Sequence, residues 1–85
     1  MDSFLNEIGN KIKKLRKRAK LSQRQLAKIV NIPQGHLSRI ENGQVNLSAY
    51  SLFQIIRVLE FDLMFVPRQE ILSVKALLRL KKDAS

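Results

Sequence analysis

Residues 21–43 read LSQRQLAKIVNIPQGHLSRIENG, and this stretch predicts two short helices joined by a tight turn. Ser22 and Gln25 form the pattern S-x-x-Q, in which a hydroxyl and a side-chain amide can satisfy the free N–H groups of a helix start. The first helix should therefore begin at Ser22 or at the residue after it. It should end before Pro33, because a proline disfavours helical geometry in the residue that precedes it.

The second predicted helix runs from residue 33 to about residue 42. Pro33 can occupy the first helical position, where its missing N–H group costs nothing, and Gly43 suits the left-handed position that closes a helix. Leu37 and Ile40 should be buried. Six further residues would face outward: Gln34, Gly35, His36, Ser38, Arg39 and Asn42. This mostly polar face is suited to contact a molecule outside the protein.

The amino-acid composition limits the possible fold classes. The chain has 85 residues, which we interpret as a single domain, residues 1–85. Hydrophobic residues make up 45% of it and aromatic residues only 6%, so an aliphatic, helical core is expected rather than a β-sandwich. The absence of cysteine excludes disulfides and thiolate metal sites. Residues 1–20 lack the apolar run of a secretory signal, and no stretch is long enough to span a membrane, which predicts a soluble intracellular protein.

The charge of the chain is strongly positive and unevenly spread. The formal net charge is +9. Residues 1–43 hold ten basic and three acidic residues, a balance of +7, whereas residues 44–85 have a balance of +2. Such an excess on one half is typical of a protein that binds a polyanion, either nucleic acid or an anionic membrane surface.

A further helix is expected before the central stretch, capped by Asp2 or Ser3. Its apolar residues recur at helical spacing: Leu5, Ile8, Ile12, Leu15 and Ala19. Residues 11–20 carry seven basic side chains between these positions. They form either a solvated face or a set of phosphate contacts, and the polar helix that follows favours phosphate contacts.

The central stretch resembles the helix-turn-helix of the lambda-repressor and Cro superfamily, over residues 8–59. The residues that carry the resemblance are Gln23, Leu26, Ala27, Val30, Gln34, Ile40 and the closing Glu41-Asn42-Gly43. In such proteins the second helix lies in the DNA major groove, with its N-terminal residues at the base edges. The resemblance therefore implies an all-α, compact repressor-like bundle of about five helices that binds double-stranded DNA.

The resemblance also implies roles for single residues. The residues expected to contact bases are Gln34, His36, Ser38 and Arg39. The residues expected to contact phosphates are Gln23, Arg24, Lys28 and Asn42. Glutamine can bond adenine and arginine can bond guanine, each through two hydrogen bonds. Arg16 and Glu41 match two family positions that form an ion pair. We therefore expect a structural ion pair between the helix before the central stretch and the second helix of the helix-turn-helix, which is the recognition helix.

The pattern changes after Leu59. Residues 61–66, FDLMFV, are β-prone and alternate between two faces, which predicts a short strand closed by Pro67. A lone strand would leave its backbone groups unsatisfied, so we expect it to pair antiparallel with a second copy across a homodimer. The alternative is that this segment is merely the last helix of the repressor domain. The predicted dimer interface comprises Phe61, Leu63, Met64, Phe65 and Val66.

Residues 60–85 would thus hold the dimerisation strand and a last helix, residues 69–82, whose wide apolar stripe should be buried against another chain. The run LEFDLMFV, residues 59–66, resembles the HipB-type antitoxins. This resemblance implies an autoregulatory repressor of a HipA/HipB-type toxin–antitoxin operon with a palindromic operator, a HipA-like kinase toxin as partner, and a cytoplasmic, nucleoid-associated place in a bacterium. Three alternatives stay open: a subunit that chiefly holds a toxin inactive, a phage-type repressor unrelated to a toxin, and a basic amphipathic chain on a membrane surface.

The sequence predicts no enzyme. It has one histidine, no cysteine and seven scattered acidic residues, which form no catalytic constellation. His36 has no second ligand one helical turn away, so no metal site is expected, and a contact with a base or phosphate is the better interpretation. The three glycines are isolated and form no phosphate-binding loop. We therefore expect no cofactor and no small-molecule substrate.

Overall fold

The computed structural model describes residues 3–84. It contains five α-helices, α1 (Ser3–Arg18), α2 (Gln23–Ile29), α3 (Gln34–Glu41), α4 (Ala49–Val58) and α5 (Ile71–Ala84), and a short 3₁₀ helix (Arg68–Glu70) before α5. The expectation of an all-α bundle of about five helices agrees with this architecture. The possible cap Asp2 lies outside the described residues. Within residues 3–84, no helix is both long enough and apolar enough to cross a bilayer.

Hydroxyl groups define the starts of two helices. The Ser22 hydroxyl accepts a hydrogen bond from the Gln25 backbone N–H at 3.0 Å, and the Gln25 side chain accepts one from the Ser22 N–H at 2.8 Å. This reciprocal capping box begins α2 where the sequence predicts it. Ser48 caps α4 in a similar way, since its hydroxyl accepts from the Ser51 N–H at 3.1 Å.

The start of α3 differs from the prediction by one residue. Pro33 has extended backbone angles, φ −62° and ψ 142°, and is the residue before the helix rather than its first member. Its carbonyl accepts hydrogen bonds from the backbone N–H groups of His36 and Leu37, at 3.0 and 3.2 Å. A residue that supplies only its carbonyl to a helix is the N-cap by definition, so the expected first-position proline is wrong.

A residue with left-handed backbone angles follows each of α1 to α4, two positions after the last helical residue. These residues are Lys20, Asn31, Gly43 and Glu60, with φ between 58° and 70°. The N–H of the residue that follows each one bonds back to a carbonyl of the last helical turn at 2.8–3.1 Å, as in a Schellman motif. The residue type indicates such a position at Gly43 and, less strongly, at Asn31, because glycine and asparagine adopt this conformation most readily. Lys20 and Glu60 adopt it at a steric cost.

The core lies where the first four helices meet. The largest fully buried side chains among the described residues come one from each of α1 to α4: Ile12, Leu26, Leu37 and Ile55. Ala27, Val30, Ile40 and Leu59 complete the same cluster. α5 contributes no buried residue among those whose side chains the structure describes. The bundle that holds α3 in place is therefore built from residues before residue 60.

The predicted C-terminal strand is wrong. Residues 61–67 form neither helix nor strand, and within residues 3–84 the structure contains no strand at all. The side chains of Phe65 and Met64 are 99% and 70% exposed. β-prone residues alone do not make a strand, because a strand exists only where a neighbouring segment accepts and donates its backbone hydrogen bonds. Among residues 3–84 no such segment lies beside residues 61–67. The alternative of a helix here is wrong as well, since α4 ends at Val58 and the next helical residue is Arg68.

Candidate nucleic-acid interface

The outer face of α3 is polar and accessible. Gln34, Gly35 and Arg39 are exposed, and His36 and Ser38 are half-buried. Asn42 follows the last helical residue and is also exposed. The structure therefore brings the four residues predicted to contact bases together on one short helix, and their contacts with DNA stay a prediction.

The inner face of α3 attaches this helix to the bundle. Leu37 is fully buried and Ile40 is 2% exposed, and both belong to the core cluster. α3 packs against α1 and α2, which lie on its inner side. An eight-residue helix is too short to be stable by itself, so its position is set by these tertiary contacts.

Arg16 and Glu41 form a bidentate ion pair between α1 and the end of α3. The Arg16 Nε and Nη2 groups donate to the two carboxylate oxygens of Glu41 at 2.6 and 3.0 Å. The Arg16 Nη1 group also donates to the Leu21 carbonyl at 2.8 Å. Both side chains are nearly inaccessible, with exposures of 8% and 1%. The pair therefore ties together α1, the start of the helix-turn-helix and the recognition helix.

Gln23 belongs to the same network. Its Nε2 group donates to Glu41 Oε1 at 3.0 Å, so the buried carboxylate accepts three N–H groups in total. Among the described residues, no buried side-chain nitrogen or oxygen lacks a hydrogen-bond partner. The amide nitrogen carries two hydrogens, and the second remains available for the phosphate contact that the family resemblance implies. Sequence reasoning did not foresee the contact with Glu41, because 18 residues separate the two side chains.

Gly9 allows α1 to approach the end of α3 closely. A Cβ atom at this position would lie 2.7 Å from the Glu41 carbonyl oxygen and would also collide with the carbonyl oxygen of Ile40. Gly9 therefore sets the distance at which the Arg16 side chain can reach Glu41. Sequence reasoning missed this role, since a glycine inside a helix carries no local signal for a close tertiary contact.

The four residues predicted to contact phosphates are not all alike in their surroundings. Arg24 and Lys28 are exposed on α2, and Asn42 is exposed at the end of α3, whereas Gln23 is half-buried. On α1 the basic side chains are exposed apart from the half-buried Lys13 and the buried Arg16. Cations thus stand on both helices that flank the recognition helix. Within residues 3–84, no three His, Cys, Asp or Glu residues are grouped so that they could hold a metal ion.

The comparisons with known proteins agree with this geometry. The sequence model of the helix-turn-helix family HTH_3 matches residues 12–65, which is more than half of the chain. The restriction-modification controller protein C.AhdI from Aeromonas hydrophila has a similar crystal structure, with a TM-score of 0.69 and 24% sequence identity over 72% of this chain and 92% of the controller. No curated protein matches the sequence. The structural likeness shows a shared fold, and the family match contains both helices of the motif, so this chain belongs to the helix-turn-helix family of DNA-binding transcriptional regulators.

Proposed function

We propose that this protein is a repressor that reads a specific, roughly palindromic operator as a homodimer, with α3 in the major groove. The observation that carries the proposal is the division of α3 into two faces. Its inner face is buried in the core, and its outer face presents Gln34, Ser38 and Arg39 at or near the surface. A helix held in this way can enter a groove without losing its support from the bundle.

Gln34 and Arg39 carry most of the proposed base recognition. A glutamine amide matches the donor and acceptor pair of adenine, and an arginine matches the two acceptors of guanine. Each such contact discriminates against the wrong base by about 1–3 kcal/mol. Gly35 lies between them in an open position, since the nearest atom to an added Cβ would be Arg39 Nη1 at 3.8 Å. This glycine lets the helix backbone approach the DNA closely.

Long-range attraction comes from the N-terminal half. Residues 1–43 carry a balance of +7, and their exposed cations include Lys17, Arg24 and Lys28. Contacts of this kind with phosphates supply affinity and position the protein but do not read sequence. We therefore assign affinity to α1 and α2 and specificity to α3.

The test begins with an operator selected from random-sequence duplex DNA by the wild-type protein. Fluorescence anisotropy then measures the Kd of Arg39→Ala and Gln34→Ala for that operator and for an unrelated duplex. We expect each variant to bind the operator about 10-fold to 100-fold more weakly while its affinity for unrelated DNA changes little. Arg68→Ala, which removes an exposed arginine outside the helix-turn-helix, is the matched control and should bind like the wild type. If both α3 variants retain wild-type operator affinity, α3 does not read the DNA.

We propose the narrower role of an autoregulatory antitoxin of a HipA/HipB-type operon on the sequence of residues 59–66 alone. This proposal does not use a strand. The partner would be a HipA-like kinase toxin, and the exposed apolar residues after Leu59 leave surface for it. Co-expression with the neighbouring gene product is the test, and a neighbour that is not a kinase or does not co-purify contradicts the antitoxin role while leaving operator binding untouched.

A second candidate is the control of a restriction-modification operon. It is favoured by the similarity to a restriction-modification controller protein, which extends over 92% of that controller. The same inspection of neighbouring genes separates the two candidates. A gene for a restriction endonuclease or a DNA methyltransferase beside this one supports the controller role and contradicts the antitoxin role.

A further inference from the structure

A groove runs along α1, and we call it the α1 groove. One of its walls is α1, and the other is the end of α4 with the chain that follows it, residues 58–63. It extends from Ile8 to Ala19, the first residue after α1, which is about 16 Å at 1.5 Å per helical residue. Phe61 contributes to the lining along most of this length.

The floor of the α1 groove is apolar. Its innermost part has a volume of about 220 Å³. The apolar side chains around this part include Ile8, Leu15, Leu52, Ile56, Phe61 and Leu63. Phe61 and Leu63 are 44% and 48% exposed, so much of the floor is in contact with water. Covering this surface with another apolar surface would be favourable.

Three cations form a stripe along the α1 wall of the groove. Lys11, Lys14 and Arg18 are spaced by three and four residues, so they share one face of the helix. All three are exposed, and they line a part of the groove with a volume of about 390 Å³. Within residues 3–84 the structure pairs none of them with a carboxylate. The groove therefore combines an apolar floor with positive charges that have no counter-charge on the protein.

The cationic stripe lies on the side of α1 opposite the recognition helix. Gly9 faces α3, since a Cβ atom there would meet backbone atoms of that helix. At 3.6 residues per turn, the stripe lies about 140–180° around α1 from Gly9, whereas Lys13 and Lys17 lie about 40–80° from it. The basic residues of α1 are thus divided between a set near α3 and a set beside the groove.

The C-terminal helix of this chain does not suit the groove. α5 has apolar side chains, but residues 71–82 contain four basic residues and no acidic one. If α5 of the same chain or of a second copy lay in the groove, its cations would stand near those of the stripe, and like charges side by side are unfavourable. The charge of the groove instead favours an occupant with acidic side chains beside an apolar face.

We propose that the α1 groove binds an acidic amphipathic helix of a partner protein. Apolar grooves bind amphipathic helices through apolar side chains at intervals of three and four residues. A groove of about 16 Å accommodates about three helical turns. Carboxylates at the same intervals along the partner helix would meet the cationic stripe. Because the groove lies opposite α3, the partner binds while the recognition helix is on DNA.

The first experiment measures the affinity for a designed peptide. The probe is a fluorescein-labelled helical peptide of about four turns, with leucines on one face and glutamates along the edge of that face. The reference is a peptide of the same composition in scrambled order. In fluorescence anisotropy titrations with the full chain, the Kd of the amphipathic peptide should be at least about 10-fold lower. Equal affinity for the two peptides would show attraction to the +9 charge alone and would overturn the proposal.

Charge reversal tests the cationic stripe. Lys14→Glu/Arg18→Glu should weaken binding of the amphipathic peptide by about 10-fold or more, because two attractive contacts become repulsive. Lys13→Glu/Lys17→Glu is the matched control, since it makes the same change in net charge at the same spacing on another side of α1. It should weaken binding much less. Circular dichroism should show that both variants are folded, and an equal loss of affinity in the two overturns the proposal.

A pair of phenylalanine substitutions tests the apolar floor. Phe61→Ser removes a side chain from the groove, and we expect it to weaken peptide binding by about 10-fold or more. Phe65→Ser makes the same change four residues later, at a side chain that is 99% exposed and lies outside the groove, and it should bind like the wild type. Wild-type affinity in Phe61→Ser, or an equal loss in both variants, contradicts the proposed site.

A single thiol distinguishes other possible occupants of the groove. The chain has no cysteine, so Ala19→Cys places one thiol at an exposed end of the groove. Maleimide should label it quickly in the free protein and more slowly in the presence of the amphipathic peptide. Slow labelling that becomes faster on dilution would mean that a second copy fills the groove. Protection by dodecanoate but not by the peptide would mean that the groove takes a small amphipathic acid, and either result overturns the proposal.

Competition with DNA separates this inference from the proposed function. At 0.15 M salt, charges more than about 8 Å apart are largely screened. A saturating operator duplex should therefore change the Kd of the peptide by less than about threefold. Displacement of the peptide by DNA would place it on the DNA-binding face and overturn this proposal, while the operator binding that the proposed function requires would still be observed.

Discussion

Gly9→Ala and Gly35→Ala are the same chemical change, one methyl group added inside a helix, and we expect them to have opposite effects on stability. Glycine inside a helix costs about 0.5–1 kcal/mol relative to alanine. Helix propensity alone therefore predicts that both substitutions stabilise the protein. The two sites differ in what the new methyl group meets.

At Gly35 the methyl group enters open space, since its nearest neighbour would be the flexible end of Arg39 at 3.8 Å. The propensity gain should be realised there and raise the Tm by roughly 2–8 °C. At Gly9 the methyl group would lie 2.7 Å from the Glu41 carbonyl oxygen and 2.9 Å from its carbon, whereas ordinary contacts begin near 3.4 Å. These are backbone atoms of α3, so relief requires α1 and α3 to move apart.

Overpacking of this kind costs about 1–3 kcal/mol. We expect the upper end at Gly9, because the same movement loosens the Arg16 pair with Glu41. After the propensity gain is subtracted, Gly9→Ala should lose about 2 kcal/mol, which lowers the Tm of a domain this size by about 8–16 °C.

The assay is thermal unfolding followed by circular dichroism, with urea unfolding as a second measure of the free energy. Protein concentration must be the same for all variants, because the Tm of the proposed homodimer would depend on it. The reasoning is refuted if Gly9→Ala is as stable as the wild type. It is also refuted if Gly35→Ala destabilises the protein by as much as Gly9→Ala.

Three further predictions concern the ion pair, a helix cap and the phosphate contacts. Glu41→Gln keeps the shape of the side chain but leaves Arg16 buried without its counter-charge. The free energy of unfolding, measured in urea, should therefore fall by about 3–5 kcal/mol. A loss below about 1 kcal/mol would contradict the buried ion pair. Ser22→Ala removes the capping hydroxyl of α2 and should cost about 1 kcal/mol, whereas Ser22→Asn, which can also cap, should stay within a few tenths of the wild type by the same measurement. The logarithm of operator affinity should fall linearly with the logarithm of salt concentration. Lys28→Ala should reduce the magnitude of that slope by about one without changing the preferred sequence. An unchanged slope in anisotropy titrations would show that Lys28 does not contact a phosphate.

In residues 61–67 the structure differs from what the sequence pattern predicts. The alternation in FDLMFV is real, and Phe61 and Leu63 remain partly covered while Phe65 is fully exposed. Alternation and β-propensity describe what a segment would do beside another strand. Whether such a strand is present is a property of the rest of the molecule, and residues 61–67 have no neighbour of that kind in the described chain.

The sequence by itself determined the local elements of this protein. The capping box of Ser22 and Gln25, the start of α3 at Pro33 to within one residue, the Gly43 turn and the two-sided character of α3 all depend on residues no more than a few positions apart. Such interactions need no distant partner. The family resemblance added one long-range pair, Arg16 with Glu41.

Only the tertiary structure decided the features that depend on contacts between residues far apart in the sequence. It made Gly9 a point of contact with the backbone of α3, gave the Gln23 amide a buried carboxylate to bond, left residues 61–67 without a strand, and left the apolar face of α5 uncovered. The physical reason is the same in each case. A hydrogen bond or a close contact needs two groups at one place, and only the folded chain brings together groups that lie 18 or more residues apart.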